Sequence, residues 1–79
     1  MKMRKNVALS DSGFIFNPST GDSYSANPIG QTIIQLLQAG RTDEEILKVL
    51  TDEYMIDSAT VEKDLYDFKN MLKNYKLTE

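Results

Sequence analysis

Residues 22–40 read DSYSANPIGQTIIQLLQAG, and the pattern changes midway from that of a strand to that of a helix. Asn27 is a favoured N-cap, and Pro28 suits the first helical position, where a missing N–H costs no hydrogen bond. Apolar residues then recur with helical spacing until a glycine ends the segment. Residues 22–26 form a polar strand in which Tyr24 alone carries a large side chain.

The segments before this stretch predict a hairpin. Residues 5–9 (KNVAL) and 13–16 (GFIF) are rich in β-branched and aromatic types, and a Ser-Asp-Ser-Gly cluster separates them. The two-residue period of a strand places Phe14 and Phe16 on one face and Ile15 on the other. Two antiparallel strands are therefore expected before residue 17.

A second reversal joins this hairpin to the polar strand. Pro18 presets the backbone angle of a turn, and Gly21 supplies the positive φ that such turns need. Residues 22–26 then become the third strand of a small sheet.

Two further helices follow. Thr42 and Glu45 form a capping box that starts the second helix, which should run to about Glu53. The last helix should start at Asp57 or Ser58. Its apolar stripe, at helical spacing over four turns, consists of Val61, Leu65, Phe68, Leu72 and Tyr75.

The predicted fold class is α+β, with a small three-stranded antiparallel sheet followed by three helices in the order β-β-β-α-α-α. A winged helix-turn-helix consists of the same elements, namely a helix pair, a third helix and a small sheet, although here the sheet comes first. A chain of 79 residues has room for one domain, so we expect residues 1–79 to form it, with residues 1–4 frayed.

Composition excludes several classes of function. The chain has no cysteine and no histidine, so the usual nucleophile, general base and most transition-metal ligands are missing. We therefore expect no independent enzyme, no cofactor and no metal site. The basic start, MKMRKN, is not followed by an apolar segment, which argues against a secretory signal or a membrane span and favours a cytoplasmic protein.

The charge balance disfavours nucleic acid as a partner. The formal charge is −3, and phosphate-backbone affinity comes largely from positive charge. In the last helix Glu62, Asp64 and Asp67 cluster in the half that meets base edges in a helix-turn-helix. A winged-helix DNA-binding or regulatory protein remains the alternative function.

The third strand offers a physical opportunity if it lies at an edge of the sheet. An exposed edge presents unpaired N–H and C=O groups, to which an extended peptide can add as a further strand. The same polar strand is equally consistent with an edge that is simply solvated. Sequence alone leaves both interpretations open.

The distributed pattern of the chain resembles the PqqD family, named for pyrroloquinoline quinone biosynthesis. The resemblance runs from about Val7 to Leu77. It rests on Asn27, Leu36-Leu37-x-x-Gly40, Thr42-x-x-Glu45-Ile46, Tyr54 and Leu65-x-x-Phe68-x-x-x-Leu72.

The resemblance implies a non-catalytic adaptor for ribosomally made, post-translationally modified peptides. The leader of the precursor would add to the third strand and lie against the third helix, while a modifying enzyme, often a radical SAM protein, acts on the rest. Either Ser23 and Ser25 or Asp22 and Tyr24 would supply the backbone bonds, and Asp64 with Lys69 would select charge in the peptide. The implied peptide-binding residues are Asp22, Ser23, Tyr24, Ser25, Ala26, Val61, Asp64, Leu65, Phe68 and Lys69.

Overall fold

Three short strands precede three helices in the computed structural model, which describes residues 2–79. The strands are β1 (Ala8–Leu9), β2 (Phe14–Asn17) and β3 (Asp22–Ser25), and the helices are α1 (Pro28–Gln38), α2 (Asp43–Tyr54) and α3 (Ser58–Asn74). The sheet is antiparallel with the order β1-β2-β3. The predicted α+β class and element order are therefore confirmed.

Both predicted turns form, and each depends on a glycine with positive φ. Gly13 (φ 89°) donates its N–H to the carbonyl of Ser10 at 3.0 Å, which closes the first turn. Gly21 (φ 78°) donates to the carbonyl of Asn17 at 2.8 Å, which closes the second. Other residues adopt this backbone region only with strain, so the sequence places glycine where the two reversals need it.

The helices begin at the caps that the sequence predicts. The Oδ1 atom of Asn27 accepts a hydrogen bond from the N–H of Gly30 at 2.8 Å at the start of α1. Thr42 and Glu45 complete a reciprocal capping box at α2, and the side chain of Asp57 caps α3. These bonds satisfy N–H groups that have no partner within their own helix.

The helices cover one face of the sheet around a single apolar core. Its buried members are Met3, Val7, Ile15, Ile33, Ile34, Leu37, Ile46, Leu50, Val61, Leu65, Leu72 and Leu77. The alternation predicted for β2 is confirmed, since Ile15 is buried while Phe14 and Phe16 on the opposite face are exposed. Only one face of this small sheet is therefore used for the core.

The two ends of the chain pair with each other. Met3 is buried opposite Thr78 in an isolated antiparallel bridge, and Arg4 donates its N–H to the carbonyl of Leu77 at 2.9 Å. Residues 1–4 are predicted to fray. Residues 3 and 4 make the contacts above, the carbonyl of Lys2 accepts the N–H of Glu79 at 2.9 Å, and the first residue of that segment lies outside the described residues. Contacts between residues more than 70 positions apart leave no local signal in the sequence.

The first strand is shorter than predicted. A turn in which Val7 donates its N–H to the carbonyl of Arg4 at 3.2 Å occupies the first part of the predicted strand 5–9. Only Ala8–Leu9 pairs with β2. The apolar Val7 still enters the core, so its pattern indicates burial correctly although its backbone is not extended in the sheet.

Candidate functional site

The strand β3 forms one edge of the sheet. Within residues 2–79 its only neighbour is β2, with Ile15 opposite Tyr24 and Phe16 opposite Ser23. An edge strand has one row of backbone N–H and C=O groups that the sheet itself does not pair. The question left open by the sequence is which residues of β3 supply that row.

The phase of the β2–β3 ladder answers this question. Ala26 donates its N–H to the carbonyl of Gly13 at 2.8 Å, so these two residues form a hydrogen-bonded pair. In an antiparallel ladder such pairs alternate with non-hydrogen-bonded ones. Tyr24 opposite Ile15 is two residues along and is therefore the next hydrogen-bonded pair.

The backbone groups of Ser23 and Ser25 consequently point away from the sheet. Both residues are exposed, and their side chains lie on the face opposite the helices. Their small hydroxyl side chains leave the backbone accessible to an approaching strand. The sequence allows either Ser23 and Ser25 or Asp22 and Tyr24 to present their backbone groups at the edge, and the geometry selects the two serines.

Tyr24 fastens the edge strand to the end of α3. Its ring stacks on that of Tyr75, with centroids 4.1 Å apart and planes inclined by 5°. Loss of water around the phenol raises the pKa of Tyr24, and the nearby carboxylate of Asp22 raises that pKa further by charge repulsion and as a hydrogen-bond acceptor at 3.5 Å. The phenol therefore stays neutral over the physiological range.

Beyond β3 a groove of about 400 Å³ opens between α1 and α3, which we call the α1–α3 groove. It is lined by Asn27, Ile29, Gly30, Ile33, Asp64, Asp67, Phe68 and Met71. Three of these side chains are apolar and partly buried (Ile29, Phe68 and Met71), whereas the two aspartates are exposed. The groove thus combines an apolar surface with negative charge.

Gly30 allows the ring of Phe68 to lie close to α1. A Cβ atom at this glycine would stand 2.9 Å from Cε1 of Phe68, well inside normal carbon–carbon contact. The same atom would lie 3.1 Å from Oδ1 of Asn27. A glycine that costs about 1 kcal/mol of helix propensity therefore shapes the groove.

A second groove of about 250 Å³ lies between α2 and α3. Its lining is Asp43, Glu44, Leu47, Glu62, Leu65, Tyr66 and Lys69. The ammonium group of Lys69 forms an ion pair with the carboxylate of Asp43. Lys69 therefore belongs to a different side of α3 from Phe68.

The structure separates the implied site residues of α3 into three groups, of which Lys69, beside α2, is the first. Val61 and Leu65 are buried in the core, with 3% and 6% of their surfaces exposed. Asp64 and Phe68 line the α1–α3 groove, as do residues that sequence reasoning did not select, above all Asp67. A signal for Asp67 was present, because a residue three positions after Asp64 shares its helix face.

Residue types, helix length and charge add three observations about the described part of the chain. Between residues 2 and 79, no three His, Cys, Asp or Glu side chains converge so that they could hold a metal ion. No helix in the same range has both the length and the apolar character needed to cross a membrane. The exposed surface of α3 near its start carries Glu62, Asp64 and Asp67, which would repel a phosphate backbone.

Comparison with known proteins finds one family and two similar structures. Residues 13–77 match the family model described as coenzyme PQQ synthesis protein D (PqqD). The structure of TbiB1 in complex with the TbiA(beta) leader peptide is 34% identical with a TM-score of 0.89, covering 100% of this chain and 95% of that one. Lasso peptide synthetase B1 complexed with the leader peptide is 25% identical with a TM-score of 0.80, covering 94% and 91%. No curated protein matches the chain.

Proposed function

This chain belongs to the PqqD family, and we propose that it is an adaptor that captures the leader of a ribosomally made precursor peptide as an added strand on β3. The observation that carries the proposal is the uncovered edge, where the backbone groups of Ser23 and Ser25 point outward. The two similar structures each hold a leader peptide, which supports a leader peptide as the ligand of this chain.

Strand addition explains how β3, a polar strand, could bind a leader peptide. Each residue of the peptide that faces Ser23 or Ser25 exchanges backbone hydrogen bonds with it, and these bonds do not depend on the peptide's side chains. The alternate side chains of the peptide point toward the helices, where Tyr24 and the α1–α3 groove provide contact surface. The remaining implied contacts, Asp22 and Ala26, bracket the paired segment.

The adaptor works by effective concentration. A leader held on β3 keeps the rest of the precursor near a modifying enzyme, and a short tether of this kind gives local concentrations on the order of millimolar. The chain itself is proposed to be non-catalytic, in keeping with a sequence that has neither histidine nor cysteine. We place its action in the cytoplasm, where a ribosomal peptide meets its first modifying enzyme, and propose that residues 1–79 act as one domain.

The test begins with a selection, because the precursor is not identified. A random library of 12-residue peptides, displayed on their encoding RNA, is selected against the immobilised chain, and an enriched peptide is synthesised. Amide exchange is then followed by NMR in the ¹⁵N-labelled protein with and without this peptide. We expect the amides of Ser23 and Ser25 to exchange fast alone and slowly in the complex, whereas the amide of Tyr24 is protected in both.

Two results would overturn the proposal. One is a selection that enriches no peptide with a dissociation constant below about 100 μM, the weak end for specific recognition of short segments. The other is binding whose shift changes spare residues 22–26 and α3. A random-sequence DNA duplex is measured beside the peptide, and tight binding that falls steeply with salt would favour the winged-helix DNA-binding alternative.

A further inference from the structure

The α1–α3 groove begins close to the end of β3, so a peptide paired with the strand can reach it. Asn27, which lines the groove, is two residues after Ser25 and therefore within about 7 Å of chain. Earlier in the strand, the ring of Tyr24 stacks on that of Tyr75 at the end of α3. A large side chain of a peptide paired with β3 can therefore enter the α1–α3 groove at the end of the strand that leads into α1.

Among the described residues, 2–79, the negative charges along this groove have no ion-pair partner. Within residues 2–79, the ion pairs are Arg41–Glu45 and Lys69–Asp43, and neither involves Asp64 or Asp67. Lys63, one turn before Asp67, does not reach it within ion-pair distance. Both carboxylates are exposed at the rim, while partly buried apolar side chains form the surface below them.

We propose that the groove selects a lysine or arginine of the leader peptide. The aliphatic stem of such a side chain would lie on Ile29, Phe68 and Met71, and its charged head would reach the carboxylates of Asp64 and Asp67. Long basic side chains combine these two properties, whereas a purely apolar or acidic side chain has only one or neither. This inference rests on the proposed capture at β3, whose backbone bonds carry little sequence information of their own.

The geometry also limits where this residue stands in the peptide. Asp64 and Met71 are seven residues apart on α3, or about 10 Å along its axis. That length accommodates one long side chain and its immediate neighbour. The basic residue should therefore lie at one position, next to the segment that pairs with β3, rather than be spread along the peptide.

The same selection tests this inference. Against the wild-type chain we expect Lys or Arg to be enriched at one position adjacent to the strand-forming segment. The selected peptide should bind about fivefold more weakly to the double variant Asp64→Asn, Asp67→Asn, which removes both negative charges and keeps the size of both side chains. Replacing the peptide's basic residue with norleucine should weaken binding to the wild type and leave binding to the double variant nearly unchanged.

A matched control separates the groove from overall charge. The variant Asp52→Asn, Glu53→Gln also removes two negative charges, but from an exposed part of α2 that does not line the groove. It should bind within twofold of wild type. Peptides that protect Ser23 and Ser25 but show no basic position, or that bind the double variant as well as the wild type, would overturn the inference and leave the proposed function standing. A selection that enriches no peptide overturns the proposed function itself.

Discussion

Replacing Ser25 with proline should abolish part of the peptide pairing without harming the fold. The N–H of Ser25 points away from β2, so its loss removes no bond from the sheet. Proline is tolerated on the open side of an edge strand for this reason. Its ring would also occupy the place where a peptide carbonyl must approach. The lost N–H and the added ring should therefore both weaken peptide binding and leave the sheet intact.

The size of the effect follows from the ladder. A residue that faces outward exchanges two backbone hydrogen bonds with the residue opposite it, one through its N–H and one through its C=O. Proline removes the N–H bond, and its ring holds the peptide strand too far away for a good bond to the C=O of the same residue. At about 0.5–1.5 kcal/mol for each bond, Ser25→Pro should cost about 1–3 kcal/mol of binding free energy. That cost corresponds to a dissociation constant raised roughly fivefold to 150-fold. The free energy of unfolding should change by less than about 1 kcal/mol.

Fluorescence anisotropy of the selected peptide, labelled with fluorescein, measures the binding, and urea denaturation of the same samples measures the stability. Ser25→Ala is the matched control, because it removes the hydroxyl and keeps the N–H, and it should bind within twofold of wild type. The reasoning is refuted if the proline variant is folded and binds as tightly as the wild type. It is equally refuted if alanine weakens binding as much as proline does.

Two further predictions concern stability. Leu77 is fully buried where the chain ends meet, so Leu77→Ala should lower the free energy of unfolding by about 2–5 kcal/mol and Tm by at least about 8 °C; thermal unfolding followed by circular dichroism checks this. The N–H of Thr42, then the guanidinium of Arg41, lower the pKa of Glu45 below its ordinary value of 4.5. Because the folded state holds this proton less tightly, the capping box stabilises the fold above that value and loses its effect as pH falls through the lowered pKa. Glu45→Gln should therefore flatten the loss of stability in urea denaturation between pH 7 and 3.

Each of these predictions has a contradicting outcome. A Leu77→Ala variant as stable as Met55→Ala, which truncates an exposed side chain, would show that the paired chain ends contribute nothing to stability. Parallel pH profiles for the wild type and Glu45→Gln would show that the capping carboxylate is not linked to folding.

The local elements of this protein are largely predictable because their determinants are local. Asn27 starts α1 through a bond to an N–H three residues away, and Gly21 closes its turn through a bond four residues back. Thr42 and Glu45 likewise satisfy each other within one turn. Hydrogen bonds between residues three or four positions apart can be recognised in a sequence from residue types at fixed spacing. Together they predict the order β-β-β-α-α-α.

The site is only partly predictable for the opposite reason. The sequence indicates an open polar strand and an apolar stripe on the last helix, and Asp64 and Phe68 do line the same groove. It does not show that Lys69 turns toward Asp43 on α2, because that depends on the angle at which the two helices pack. Nor does it show that Phe68 closes over Gly30, a contact between residues 38 positions apart.

Sequence by itself therefore determined the elements, their caps and turns, and the polar character of the edge strand. Tertiary structure alone decided which backbone groups of that strand face outward, because the phase of the ladder follows from the register with β2 rather than from the residues of β3. It also decided that residues 2–4 contact the C-terminal end, and that two aspartates one turn apart border an apolar groove. Each of these features depends on contacts between segments that are far apart in the sequence. No short stretch of the chain contains both partners of such a contact, so no local pattern predicts it.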